Sequence, residues 1–142
     1  MPKFVMFVKG DPEPGQLPSE EVLNAMAAYN EELQKAGVLL DLNGLHPSAN
    51  AARVTWSGGK TTVTDGPFAE SKELVAGYWI IDVRTMAEAV EWAKRAPMDA
   101  GDEFPGDPQI EIRQVFELEE FGESPAIERH RALDEERTKT SE

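Results

Sequence analysis

Cysteine is absent from the 142 residues. Disulfides, thiolate nucleophiles and Cys-ligated zinc or iron–sulfur centres are thereby excluded. Histidine occurs only as His46 and His130, too few for a multi-His metal centre. Basic residues are scarce: 14 Lys and Arg stand against 27 Asp and Glu, a formal net charge of −13. Phosphate contacts need clustered Lys and Arg, so nucleic acid is not an expected partner. Docking on an anionic membrane is disfavoured for the same reason. Long apolar runs are missing as well, so no segment reads as membrane-spanning. The apolar start, Met1 to Val8, is short and stops at Gly10-Asp11-Pro12 without a small-residue cleavage site. It reads as a strand rather than a signal peptide, and a cytoplasmic location is the expectation.

What is present is a chain with 40% hydrophobic residues and regular Gly and Pro punctuation, enough for one domain with a real core. Lys3 to Val8 is apolar on both alternating faces, as in a strand buried on both sides. Ser19 can cap a helix, with Glu20 and Glu21 at its positive end. Val22, Met26, Tyr29, Leu33 and Ala36 recur at helical spacing, and Gly37 suits the helix end. Val38 to Leu45 reads as a second strand, broken at His46-Pro47-Ser48. Arg53–Trp56 and Thr61–Thr64 flank Gly58-Gly59, a hairpin signal. Leu74 to Val83 is another strand with two apolar faces. Thr85 and Glu88 form a capping-box pattern ahead of a second helix that Pro97 ends. Ile110 to Phe116 is the last strand.

The order is a ferredoxin-like α+β plan, βαββαβ, with an inserted β-hairpin. Residues 1–121 form the domain. Residues 122–142 read as a charged tail, with Ser124-Pro125 starting a short helix. Two helices can cover only one face of the sheet, yet both alternating sets are apolar: Phe4, Met6 and Val8 as well as Val5 and Phe7, and Val75, Trp79 and Ile81 as well as Ala76, Tyr78 and Ile80. A second copy packing sheet on sheet is the economical cover, so a homodimer is expected from patterning alone.

Three blocks carry a family resemblance: Gly44-Leu45-His46-Pro47-Ser48, Ser57-Gly58-Gly59-Lys60, and the long run from Asp65-Gly66-Pro67-Phe68 to Trp79. Glu88 to Ala93 matches as well. These segments resemble the YCII-related, or DGPF-domain, proteins over about the first four-fifths of the chain. The resemblance implies a dimeric α+β barrel, the fold shared with muconolactone isomerase and small cofactor-free monooxygenases. Some members are associated with extracytoplasmic-function sigma factors, which implies a sigma factor as a candidate partner. Compact YCII proteins place a catalytic His in the first helix. Here that stretch reads Leu23 to Tyr29 without one, and His46 is the only His of the domain.

The candidate catalytic residues are His46, Asp65 and Lys72. His46 can act as acid or base near neutral pH, or it can simply bond the turn at the strand end. Asp65 can orient His46, or bond its own turn backbone. Lys72 can stabilise an enolate or carboxylate, or sit in a solvated charge run. The candidate pocket residues are Tyr29, Phe68, Tyr78 and Arg113. For the aromatics, and for Trp56 and Trp79, core packing is the competing role. Arg113 can face a polar ligand or pair with Glu111. Gly58-Gly59-Lys60 lacks the strand–loop–helix context of a phosphate loop. No cofactor or metal is expected. The first functional expectation is cofactor-independent acid/base chemistry on a small molecule, isomerase- or hydrolase-like. The second is a non-catalytic ligand-sensing or protein-interaction module.

Overall fold

Local chemistry accounts for each element. Ser19 accepts a hydrogen bond from the Val22 N–H at 3.3 Å, and behind this cap α1 runs from Glu20 to Lys35. Val22, Tyr29 and Leu33 form its buried stripe. Gly37, at φ +74°, lets the chain turn out of the helix where a side chain would be strained. Thr85 caps α2 (Met86–Lys94) by accepting from the Glu88 N–H at 3.1 Å. The Glu88 carboxylate reaches back to the Arg84 N–H at 2.8 Å, one residue beyond the N-cap N–H that the ordinary capping box engages.

The structure, a computed structural model, describes residues 1–70, 73–100 and 106–140. Its main sheet holds β1 (Lys3–Lys9), β2 (Leu39–Gly44), β5 (Val75–Asp82) and β6 (Ile110–Gln114) in the order β2-β5-β1-β6. All neighbours are antiparallel. β5 lies between β1 and β2, the split βαβ arrangement of a ferredoxin-like α+β fold. The inserted hairpin, β3 (Ala52–Ser57) with β4 (Lys60–Asp65), forms its own two-stranded sheet. A sixteen-residue helix, α3 (Pro125–Thr140), fills most of the tail where a short one was expected.

One sheet face carries the core. Phe4 and Met6 of β1 and Ile81 of β5 meet Leu33 of α1, all four at 1% exposure or less. Burying side chains of this size contributes about 2 kcal/mol each. Trp79 joins them and donates its indole N–H to Asn30 Oδ1 at 2.8 Å. The Tyr29 ring meets Trp79 edge-on, with centroids 5.3 Å apart.

Tyr29, a candidate pocket residue by sequence, therefore lies within the core. Its hydroxyl donates to the Trp92 carbonyl at 2.8 Å, which ties α1 to α2. Burial pushes this phenol up to about 12; nearby Arg95 opposes the shift and Glu32 adds to it. The neutral phenol is thus favoured more in the folded chain than in the unfolded one. That stability is fully present below pH 10 and is lost as pH rises toward 12. Urea midpoints taken at pH 8, 10 and 11.5 are expected to fall more steeply for the wild type than for Tyr29→Phe. Parallel curves would refute a buried, hydrogen-bonded phenol. At pH 8 the loss of the hydroxyl is expected to cost about 1 kcal/mol.

Among the described residues of the single chain, the other sheet face is uncovered. Val5, Phe7, Tyr78 and Ile80 are half-buried there. Trp56, which sequence placed in a core or a pocket, projects from the hairpin at 75% exposure. It shares that hairpin face with Val54 and Val63, which pair across β3 and β4. The hairpin leaves the main sheet, and every residue of its two strands is exposed. α3 buries no residue. Half of its charged residues pair within the helix, as Arg131–Glu128 and Arg137–Asp134.

Candidate functional site

Three loops from three strand ends meet at Ser48, which is only 7% exposed. The loop after β1 brings Asp11. The loop after β2 brings His46, Pro47 and Ser48. The segment after β4 brings Gly66, Pro67 and Phe68. Asp11 grips Ser48 with both carboxylate oxygens. Oδ1 accepts from the Ser48 N–H at 2.7 Å and Oδ2 accepts from the Ser48 hydroxyl at 2.5 Å. Ser48 Oγ in turn accepts from the Phe68 N–H at 3.0 Å. A hydroxyl both donates and accepts, so one small side chain closes the junction.

Gly66 completes it. Its N–H donates to the Ala51 carbonyl at 2.9 Å. A Cβ at Gly66 would lie 1.7 Å from the Ser48 carbonyl oxygen, so no side chain fits. The Gly66–Pro67 peptide bond is cis. Phe68 is half-buried, and the Arg53 guanidinium lies 3.7 Å from its ring centroid. The Asp-Gly-Pro-Phe block is therefore a clamp on the strand end that carries His46.

His46 itself is exposed, two residues before the clamp. Its Nδ1 lies 3.3 Å from Asn50 Nδ2. With the ring proton on Nε2, Nδ1 accepts from the Asn50 amide. Asp65 ends β4 opposite Ala52 and is exposed. Among the described residues, the side-chain hydrogen bond of His46 runs to Asn50, and none joins it to Asp65. Lys72 lies outside the described residues. Tyr78 and Arg113 lie elsewhere, on the uncovered sheet face. The Tyr78 hydroxyl donates to Asp41 Oδ2 at 3.0 Å and accepts from Asn43 Nδ2 at 2.8 Å. The sequence candidates thus divide among the Ser48 junction (His46, Asp65, Phe68), the core (Tyr29) and the open sheet face (Tyr78, Arg113).

An open depression of about 550 Å³ lies at the same end of the sheet, bordered by Lys9, Glu73, Gln109, Ile110 and Glu111. Lys9 Nζ donates to the Glu73 carbonyl at 3.4 Å across it. A second depression, about 300 Å³, is lined by Lys3 of β1 and by Arg131, Asp134 and Glu135 of α3. Among the described residues, no cluster of three or more His, Cys, Asp or Glu is arranged to hold a metal ion. No described helix is long and apolar enough to cross a membrane.

Asp11 and Ser48 were not legible as partners. They are 37 residues apart, and Asp11 reads as an ordinary loop residue between Gly10 and Pro12. The one available signal was the small polar Ser48 immediately after His46-Pro47.

The family model of the YCII-related domain matches residues 3–118. An uncharacterized protein of Rhizobium meliloti (strain 1021) is 34% identical over 107 residues, which is 75% of this chain and 82% of that protein.

Proposed function

The chain belongs to the YCII-related family, and we propose that it acts there as a cytoplasmic homodimer with a cofactor-independent small-molecule site at the Ser48 junction. The observation that carries this reading is the clamp itself. Asp11, Ser48 and Phe68 lock three loops together, while the imidazole two residues away is left exposed. A rigid backbone beneath an accessible acid/base group is what proton-transfer chemistry requires. In this reading His46 moves the proton, Asp65, next to Gly66 of the clamp, is the charged group that orients it, and Phe68 walls the site. The reaction class is isomerisation or hydrolysis by acid/base catalysis.

The homodimer is supported by the uncovered face of Val5, Phe7, Tyr78 and Ile80, since apolar sheet faces are rarely left to water. A second copy would close the sheets into an α+β barrel.

A panel of small carboxylates and phenols, screened by amide NMR, tests the site. Binders are expected to shift the amides of 45–51 and 65–68, and His46→Ala is expected to weaken them at least about tenfold. Binders that map elsewhere, or that ignore His46→Ala, would refute the reading. A second reading, a protein-interaction module for a basic partner such as an extracytoplasmic-function sigma factor, is favoured by the exposed hairpin face of Val54, Trp56 and Val63. It has no need of His46, so the same variant separates the two.

A further inference from the structure

Among the described residues, two arginines lie over aromatic rings. Arg95 stands 4.4 Å from the centroid of Trp92, and its guanidinium is also held by Glu32 at 2.6 Å. Arg53 stands closer, 3.7 Å from the centroid of Phe68. Its guanidinium forms neither an ion pair nor a hydrogen bond among the described residues. Acids outnumber bases 27 to 14 in this chain, so a lack of carboxylates does not explain the difference. The ring contact occupies the flat side of the guanidinium and leaves the N–H groups at its rim able to donate.

Strand register does explain it. In the hairpin Arg53 pairs with Thr64, and Ala52 pairs with Asp65. Directly opposed residues share a face and successive ones alternate, so Arg53 and Asp65 belong to opposite faces. Thr55, Ser57, Lys60, Thr62 and Thr64 complete the face of Arg53, all of them exposed. That face holds both cations of the hairpin and otherwise hydroxyls, which can donate. The hairpin's acid lies on the other face. Phe68 joins the cationic face to the clamp: its N–H donates to Ser48 Oγ at 3.0 Å while its ring carries the guanidinium. Asn50, three residues before Arg53, holds the His46 ring at 3.3 Å. Cation and imidazole are thus anchored on one junction.

We infer that Arg53 is the anion-binding residue of the Ser48 junction and that the site takes a small monocarboxylate. The inference rests on the site reading proposed above and names its substrate class. A guanidinium fork matches the two oxygens of a carboxylate, and one already settled on Phe68 loses less freedom on binding. Lys60 is at the far end of the hairpin, so a single cation serves the junction. One cation balances one negative charge, and a chain of net charge −13 repels a second. A monocarboxylate therefore suits the site better than a phosphate dianion. The carboxylate anchors the molecule, and His46 meets the proton to be moved.

Amide NMR titrations of the full chain test this with benzoate, crotonate and levulinate, each beside its primary amide, and with phenol and phenyl phosphate. At least one carboxylate is expected to shift the amides of 45–51 and 65–68, and to bind about tenfold or more tightly than its amide. Arg53→Met keeps an apolar contact with Phe68 and removes the fork. It is expected to weaken that carboxylate by about tenfold or more while leaving the neutral probes within about twofold. A structural role alone would weaken charged and neutral probes alike. Arg53→Lys, which keeps the charge without the fork, is expected to recover about a third of the wild-type affinity. The ligand-free resonances of 45–51 are expected to be the same in all three proteins, which separates loss of the fork from collapse of the junction. If no probe, charged or neutral, shifts 45–51 or 65–68, the site reading falls and the inference with it. If the amides or phenol bind there as tightly as the carboxylates, or if Arg53→Met leaves carboxylate binding intact, the inference alone is overturned. Tighter binding of phenyl phosphate than of benzoate would overturn the monocarboxylate assignment.

Discussion

Gly66→Ala is expected to remove about 3 kcal/mol or more of folding stability, close to 10 °C in melting temperature for a domain of this size. The cause is steric rather than conformational. Gly66 does not occupy the positive-φ region, so alanine could adopt its backbone angles. What forbids alanine is the Ser48 carbonyl oxygen, 1.7 Å from where the Cβ would stand, with the Ser48 carbonyl carbon at 2.7 Å. Both are backbone atoms, so relief requires the two loops to part. Parting breaks the Gly66 N–H bond to Ala51 and the Phe68 N–H bond to Ser48 Oγ. Gly44→Ala is the matched control. Gly44 also has no positive φ, and a Cβ there meets nothing within 4 Å. It is expected to change stability by less than about 0.5 kcal/mol. Thermal melts of the two variants settle the matter: equal effects would mean that the close approach at Gly66 is not formed in solution.

Asp11→Ala is expected to cost about 3 kcal/mol, through a different mechanism. Both carboxylate oxygens hold Ser48, one on its N–H and one on its hydroxyl. Hydrogen bonds to a charged acceptor contribute more than neutral ones, and removing this acceptor leaves a buried N–H unpaired. Asp11→Asn keeps the shape and one carbonyl oxygen, so it is expected to recover roughly half of the loss. Ser48→Ala removes the hydroxyl at the centre. With Asp11→Ala it is expected to be clearly less than additive, because the two residues share one interaction. Full additivity in a urea double-mutant cycle would show that Asp11 and Ser48 do not act on each other. The same variants bear on function. If the clamp holds His46 in place, Asp11→Ala weakens small-molecule binding at the His46 amides even where the protein remains folded.

Much of the fold was legible because its signals are local. Ser19 and Thr85 announce helix starts through side-chain geometry that operates within three residues. Continuous apolar, β-rich runs over Lys3–Val8 and Leu74–Val83 identified strands, and the order of elements then limited the topology to a ferredoxin-like plan. The surplus of apolar residues on Val5, Phe7, Tyr78 and Ile80 was also visible, because a strand displays both faces in its own sequence. The candidate site was legible only in outline. His46, Asp65 and Phe68 do gather at one end of the fold. Tyr29 does not join them, because its position on the helix stripe carries it into the core against Trp79. Trp56 was misread for the opposite reason. A bulky aromatic in a β-rich run suggests burial, but the hairpin projects away from the main sheet.

Absence of cysteine, scarcity of base, helical spacing and strand-length runs apolar on both sides were enough, from sequence alone, to determine an α+β chain without thiol chemistry and with two apolar sheet faces. Those properties depend on composition and on neighbours within a turn or a strand. The tertiary structure alone decided that Asp11 holds Ser48, 37 positions away, and that the Ser48 hydroxyl accepts from the Phe68 N–H of the Asp-Gly-Pro-Phe turn. It also decided which sheet face the helices cover. Register and chain crossing set those contacts, and neither is written in any single segment.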